Sequence, residues 1–259
     1  MGFVNYIAHA LLNGVLILLV GIFPWVLTAW CLNYLSGTIR KRLLFLGDYA
    51  FVYLTAPGVA VHELSHAAFC LIFRHKIVKM SLFSPEADGT LGYVEHRYDP
   101  KSLYQRVGNF FIGTGPIWSG LTMLYFLSVL LLPRETFSSG KSWSDSFFAV
   151  LKLFFSLKSW TSVLFYVWLY AVLTISSHIT LSPPDIKGAK DGFIVLVGII
   201  FLSCLLFGWC GTWEEYLVHE LTLFFVRLIS LVVTSVSSLF VVALILRLLP
   251  FGKKQGCAC

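Results

Sequence analysis

The chain has 259 residues, 58% of them hydrophobic and 12% charged, with a mean hydropathy of +0.82. Soluble domains carry about 25% charged residues, so this composition excludes an ordinary soluble enzyme and predicts a polytopic membrane protein. The 19 Lys and Arg against 13 Asp and Glu form no basic stripe with interleaved aromatics, which argues against nucleic acid as a partner and leaves the lipid bilayer and its anionic headgroups.

Six apolar segments follow in chain order: roughly Ala10 to Leu35, Asp48 to Phe73, Val107 to Leu132, Trp160 to Leu181, Phe193 to Trp209 and Leu221 to Leu249. Each reaches or approaches the roughly 20 residues a helix needs to cross the hydrocarbon core. The predicted fold is an all-α polytopic membrane protein, a single membrane-embedded domain over 1–259 with about six transmembrane helices. Pro24 and Pro57 are expected to bend their helices, and Arg227 inside the last segment implies tilt or an interfacial end. The first residues lack the Lys or Arg of a signal n-region, so no cleavable signal is expected.

Between the second and third segments, a run with Ile77, Met80, Leu82 and Phe83 precedes the turn-rich Ser84-Pro85-Glu86-Ala87-Asp88-Gly89, and Thr90 to His96 reads as a second short strand. Asp-Gly between such runs signals a hairpin. A small β-hairpin at about 76–98, lying at the membrane surface, is therefore expected. Cys31, Cys70, Cys204 and Cys210 sit in or beside apolar segments without a CxxC pair and read as buried thiols. Cys257 and Cys259 read as a frayed tail, with lipidation as the alternative.

The chemistry concentrates in His62-Glu63-Leu64-Ser65-His66, inside the second segment. HExxH on a helix sets two imidazoles one turn apart with a carboxylate beside them, the ligand pair and general base of a zinc hydrolase. His62 and His66 are the candidate ligands, and Glu63 is the candidate base that takes a proton from the attacking water. The third ligand is expected at Asp185, after Pro183-Pro184, presented on irregular backbone where the fourth segment gives way to the fifth. His66 lies roughly 12 Å below the exit of its own segment, so Asp185 must dip back into the membrane to meet it. Asp191 is the alternative ligand, and a helix cap is the alternative role of Asp185.

Three elements in this order resemble the site-2 protease family of intramembrane zinc metalloproteases. His62-Glu63-Leu64-Ser65-His66 is similar to its HExxH, Gly115-Pro116-Ile117-Trp118-Ser119 to its GPxxN or GxxxS element, and Pro183-Pro184-Asp185-Ile186-Lys187-Gly188 to its proline-rich segment with the zinc-binding Asp. The resemblance implies a metalloprotease core over 48–209 that holds one Zn2+ per chain through His62, His66 and Asp185. It implies an activity that hydrolyses peptide bonds in transmembrane segments of membrane-protein substrates, with Glu63 as base. Gly115, Ser119 and His178 are expected beside the site as supporting or substrate-binding residues; helix packing explains the Gly115–Ser119 spacing equally well.

Two other functions compete. One is a non-proteolytic zinc-binding membrane protein that sequesters membrane partners. The other is a metal transporter, which the concentration of ligand types near one face disfavours. Glu214, Glu215, His219 and Glu220 read as an acidic interfacial loop, and His9, His75 and His96 as loop or terminal residues. Lys and Arg placement favours a cytoplasmic N-terminus, with the site nearer the cytoplasmic face.

Overall fold

In the computed structural model the described residues are 3–43, 47–87, 89–133 and 143–207, with 219–220, 240–241, 243–245 and 247–248 beyond them. The chain is mostly helical. Helices α1 (Phe3–Leu43), α2 (Asp48–Leu54) and α3 (Ala56–Ile72) precede an antiparallel pair of strands, β1 (Lys76–Ser81) and β2 (Tyr93–Arg97). Helices α4 (Leu103–Leu131), α5 (Trp143–Phe155), α6 (Leu157–Trp160), α7 (Val163–His178) and α8 (Pro183–Phe207) follow.

Each boundary has a local cause. The apolar segment expected over Asp48 to Phe73 is two helices, because Pro57 in the first turn of α3 lacks an amide to continue α2. The Thr55 hydroxyl closes the break by donating to the Phe51 carbonyl at 2.8 Å. Ser102 caps α4, its hydroxyl accepting from the Gln105 amide. Helix α5 falls outside the six segments because Ser144, Asp145, Ser146 and Lys152 interrupt its apolar run.

The start of α8 corrects an expectation. Asp185 sits on the first turn of this helix, not on irregular backbone. Ser182 and Asp185 form a reciprocal cap: the Ser182 amide donates to Asp185 Oδ2 at 2.8 Å, and the Asp185 amide to Ser182 Oγ at 3.3 Å. Pro183 and Pro184 fill the positions where a helix needs no amide donor. Two prolines that look like helix breakers therefore start one.

The hairpin is present, with Lys76 opposite Arg97, Ile77 opposite His96, Lys79 opposite Glu95 and Ser81 opposite Tyr93, and a bulge between Ile77 and Lys79. Gly89 occupies the turn at φ 90°, and Asp88 lies outside the described residues.

Helix α4 packs against α8 and α3, and α3 also packs against α7. Glycines permit the closest crossings. A Cβ on Gly58 would collide with the Thr174 carbonyl, and one on Gly113 with the Asp185 carbonyl. Gly113→Val is therefore expected to push α8 from α4, lowering stability by about 1–3 kcal/mol in a thermal melt of the detergent-solubilised protein. A melt equal to wild type would refute this crossing. The main apolar core joins Leu32 and Ile39 of α1, Leu121 and Leu124 of α4, and Trp168 and Val172 of α7. The Trp168 indole, fully buried, donates to Ser128 Oγ at 2.9 Å.

Among the described residues two helices are long and apolar enough to cross a membrane, Leu103–Leu131 and Pro183–Leu206. Val4–Leu19, within α1, and Val163–His178 are shorter apolar helical stretches. The sixth expected segment, with Arg227, lies outside the described residues apart from a few scattered positions, as do Cys210, Glu214, Glu215, Cys257 and Cys259.

Candidate metal centre

His62 and His66 lie one turn apart on α3, and their Nε2 atoms are 3.1 Å from each other. Asp185 reaches this pair from the first turn of α8. Its Oδ1 is 3.2 Å from His66 Nε2 and its Oδ2 3.5 Å from His62 Nε2. The three side chains offer donor atoms within 4.8 Å of one another and could hold a metal ion. Both roles weighed for Asp185 are thus compatible: one carboxylate caps α8 and faces the two imidazoles.

The tautomers are set from behind. His62 Nδ1 lies 2.7 Å from the His178 carbonyl, and His66 Nδ1 lies 2.7 Å from the Ile112 carbonyl. A carbonyl only accepts, so each Nδ1 carries the proton and each Nε2 lone pair faces the centre. This is the outer-shell pattern that orients metal-binding histidines.

Both carbonyls are available for the same reason: neither meets a helical amide four residues later. In α4 the partner of the Ile112 carbonyl would be the amide of residue 116, but Pro116 has none. In α7 the chain ends its helix at His178, and the Ser182 amide bonds Asp185 instead. The Pro of the Gly115-Pro116 element thereby opens the acceptor that aims His66. Pro116→Ala is expected to return an amide to the Ile112 carbonyl and weaken metal binding about 10-fold, read by competition with a chelator. Unchanged affinity would mean the Ile112 carbonyl serves both donors.

Glu63, 7% exposed, lies beside this trio under the hairpin. A Cβ on Gly92 would sit 2.7 Å from Glu63 Cγ, so only a glycine lets the chain leading into β2 run across this carboxylate. The hairpin thus borders the site.

No protein-family model, curated protein or solved structure matches this chain.

The other expected residues divide. Gly115 allows α3 and α4 to close up, since a Cβ there would lie 3.2 Å from Ser65 Oγ and 3.0 Å from Phe69. Ser119 turns its hydroxyl back to the Gly115 carbonyl at 2.9 Å. His178 contributes its carbonyl, while its ring Nε2 faces Thr55 Oγ1 at 2.8 Å. Because the Thr55 hydroxyl already donates to Phe51, it accepts here. Asp191 stands apart from the trio, 3.4 Å from the Tyr98 hydroxyl and 3.9 Å from Arg106 Nη2. Ile112, Thr55 and Gly92 were not anticipated. Pro116 is the sequence signal for a free carbonyl at Ile112, but not for the histidine that meets it.

Proposed function

We propose that this chain is an intramembrane zinc endopeptidase of site-2 type that hydrolyses peptide bonds in transmembrane segments of membrane proteins. The observation that carries the reading is the convergence of His62, His66 and Asp185, with Glu63 beside them and outside the ligand set. Two imidazoles and one carboxylate are a catalytic zinc donor set that leaves a position open. A zinc ion bound there supplies the Lewis acid that polarises a peptide carbonyl and makes water a nucleophile near neutral pH. Glu63 accepts the proton of the attacking water and delivers it to the leaving amine.

The hairpin suits the substrate. A transmembrane helix keeps its amides in internal hydrogen bonds, so its scissile bond is reached only after local unwinding. The freed extended backbone can then add to a strand edge beside Glu63.

Membrane embedding is supported by large apolar side chains on the outside of the helices, among them Leu12 and Leu19 on α1, Leu130 on α4, Leu164 on α7 and Ile194 and Leu206 on α8. We take all six apolar segments as crossings, with the N-terminus cytoplasmic and the site nearer that face.

The test compares membranes from cells producing wild type or His66→Ala by mass spectrometry of new peptide termini. Termini inside transmembrane segments, present only with wild type and removed by a zinc chelator, are expected. Identical termini in both, from a wild type that holds zinc, would overturn the protease reading in favour of a non-proteolytic zinc-binding protein.

A further inference from the structure

A second group of metal-binding side chains lies one turn beyond His66. Cys70 is fully buried on α3, His75 is 4% exposed just before β1, and His96 is half-buried on β2. Their donor atoms all lie within 4.8 Å of one another. His75 and His96, expected as loop residues, are therefore packed side chains; the hairpin's own pairing carries His96 back to the end of α3.

Two features of the backbone bring Cys70 and His75 together. The His75 amide donates to the Cys70 carbonyl at 2.8 Å and the Arg74 amide to the Leu71 carbonyl at 3.2 Å, the paired bonds of a Schellman turn. Arg74 takes the left-handed position, at φ 58°, that glycine usually fills. The chain thus doubles back so that residue 75 returns to residue 70.

The donors are also oriented. His75 Nε2 lies 2.8 Å from the Gln105 carbonyl and must carry the ring proton, which leaves the Nδ1 lone pair pointing away. That Nδ1 lies 3.0 Å from His96 Nδ1. Two nitrogens on a tetrahedral zinc stand about 3.3 Å apart, and a nitrogen and a thiolate sulfur about 3.6 Å. Tyr98 stacks on His75 with ring centroids 5.2 Å apart, fixing the plane of the ring.

We propose that Cys70, His75 and His96 form a second metal site, separate from His62, His66 and Asp185, that takes a zinc ion and pins the hairpin to the end of α3. Binding exchanges the Cys70 thiol proton, released to solvent, for a metal–thiolate bond. Its consequence for the first centre is mechanical. The same hairpin carries Gly92 across Glu63, so the tie holds the bordering strand in place.

Cobalt distinguishes the two centres, because a thiolate ligand gives an intense near-ultraviolet charge-transfer absorption and a His–His–Asp set does not. The full chain carrying Cys257→Ser and Cys259→Ser is loaded with Co2+ in detergent. The thiolate band is expected in this background and in the same background with His66→Ala and Asp185→Ala. It is expected to vanish with Cys70→Ser, together with one equivalent of metal. His96→Ala, on a strand outside the helix packing, is expected to weaken Co2+ binding at this band at least 10-fold. An imidazole–imidazole hydrogen bond without metal predicts no band in any variant, and that result overturns the proposal. So does a band that survives both Cys70→Ser and His96→Ala. A band present in a protein whose first centre binds nothing would leave this site standing and remove the protease reading alone.

Discussion

Glu63→Gln is expected to leave the metal content unchanged and to lower the cleavage rate by about 10²–10⁴-fold. Glutamine keeps the shape of glutamate, so the packing under Gly92 survives. It cannot accept a proton, so in the proposed hydrolysis the attacking water would lose its base. Glu63 lies on α3 between the two histidines in sequence but outside the trio of donor atoms that converge, which is why metal and activity should separate. Zinc counted per chain and initial cleavage rates on a membrane-protein substrate, measured on the same preparations, decide the matter. Zinc lost with the substitution would make Glu63 a ligand. Cleavage retained would place the base elsewhere.

Asp185→Ala and Asp185→Asn form the second test, because Asp185 has two jobs that the pair separates. Alanine removes the carboxylate that faces His62 and His66 and also the acceptor of the Ser182 amide. Asparagine keeps a neutral acceptor for that amide while losing the charge a zinc ligand needs. Both variants are therefore expected to hold one zinc fewer than wild type. In the metal-free state alanine should melt below asparagine, by about 1 kcal/mol for the lost cap. Full zinc in Asp185→Ala would mean the third ligand is another residue. Equal melting of the two metal-free variants would mean that the cap contributes nothing.

Much of the site was legible from residue type and spacing. His62, Glu63 and His66 fall on one helix, and a spacing of four places both rings on one face whatever surrounds them. The hairpin was legible because Asp-Gly between two short β-prone runs is a local signal. Asp185 was legible only as a candidate, since its meeting with His66 depends on how α8 lies against α3 and α4. Its backbone was misread, because Pro-Pro reads as a break in isolation and as a helix start once Ser182 and Asp185 cap each other. The division of the second apolar segment at Thr55 was legible only as a bend at Pro57.

The histidines' orientation was not legible at all. It depends on which carbonyls lose their amides, at Pro116 and at the end of α7, and on which helices stand opposite. The same holds for Cys70, His75 and His96, which are five and 21 residues apart in sequence and meet through a Schellman turn and a strand register. Local chemistry, set by side-chain type and helical period, is written in the chain order: a membrane-type composition, two histidines one turn apart with a carboxylate beside them, a hairpin. Which groups from distant segments converge is a property of packing, because a carboxylate, a carbonyl or a glycine acts only on what the crossing of two helices brings within a few ångströms.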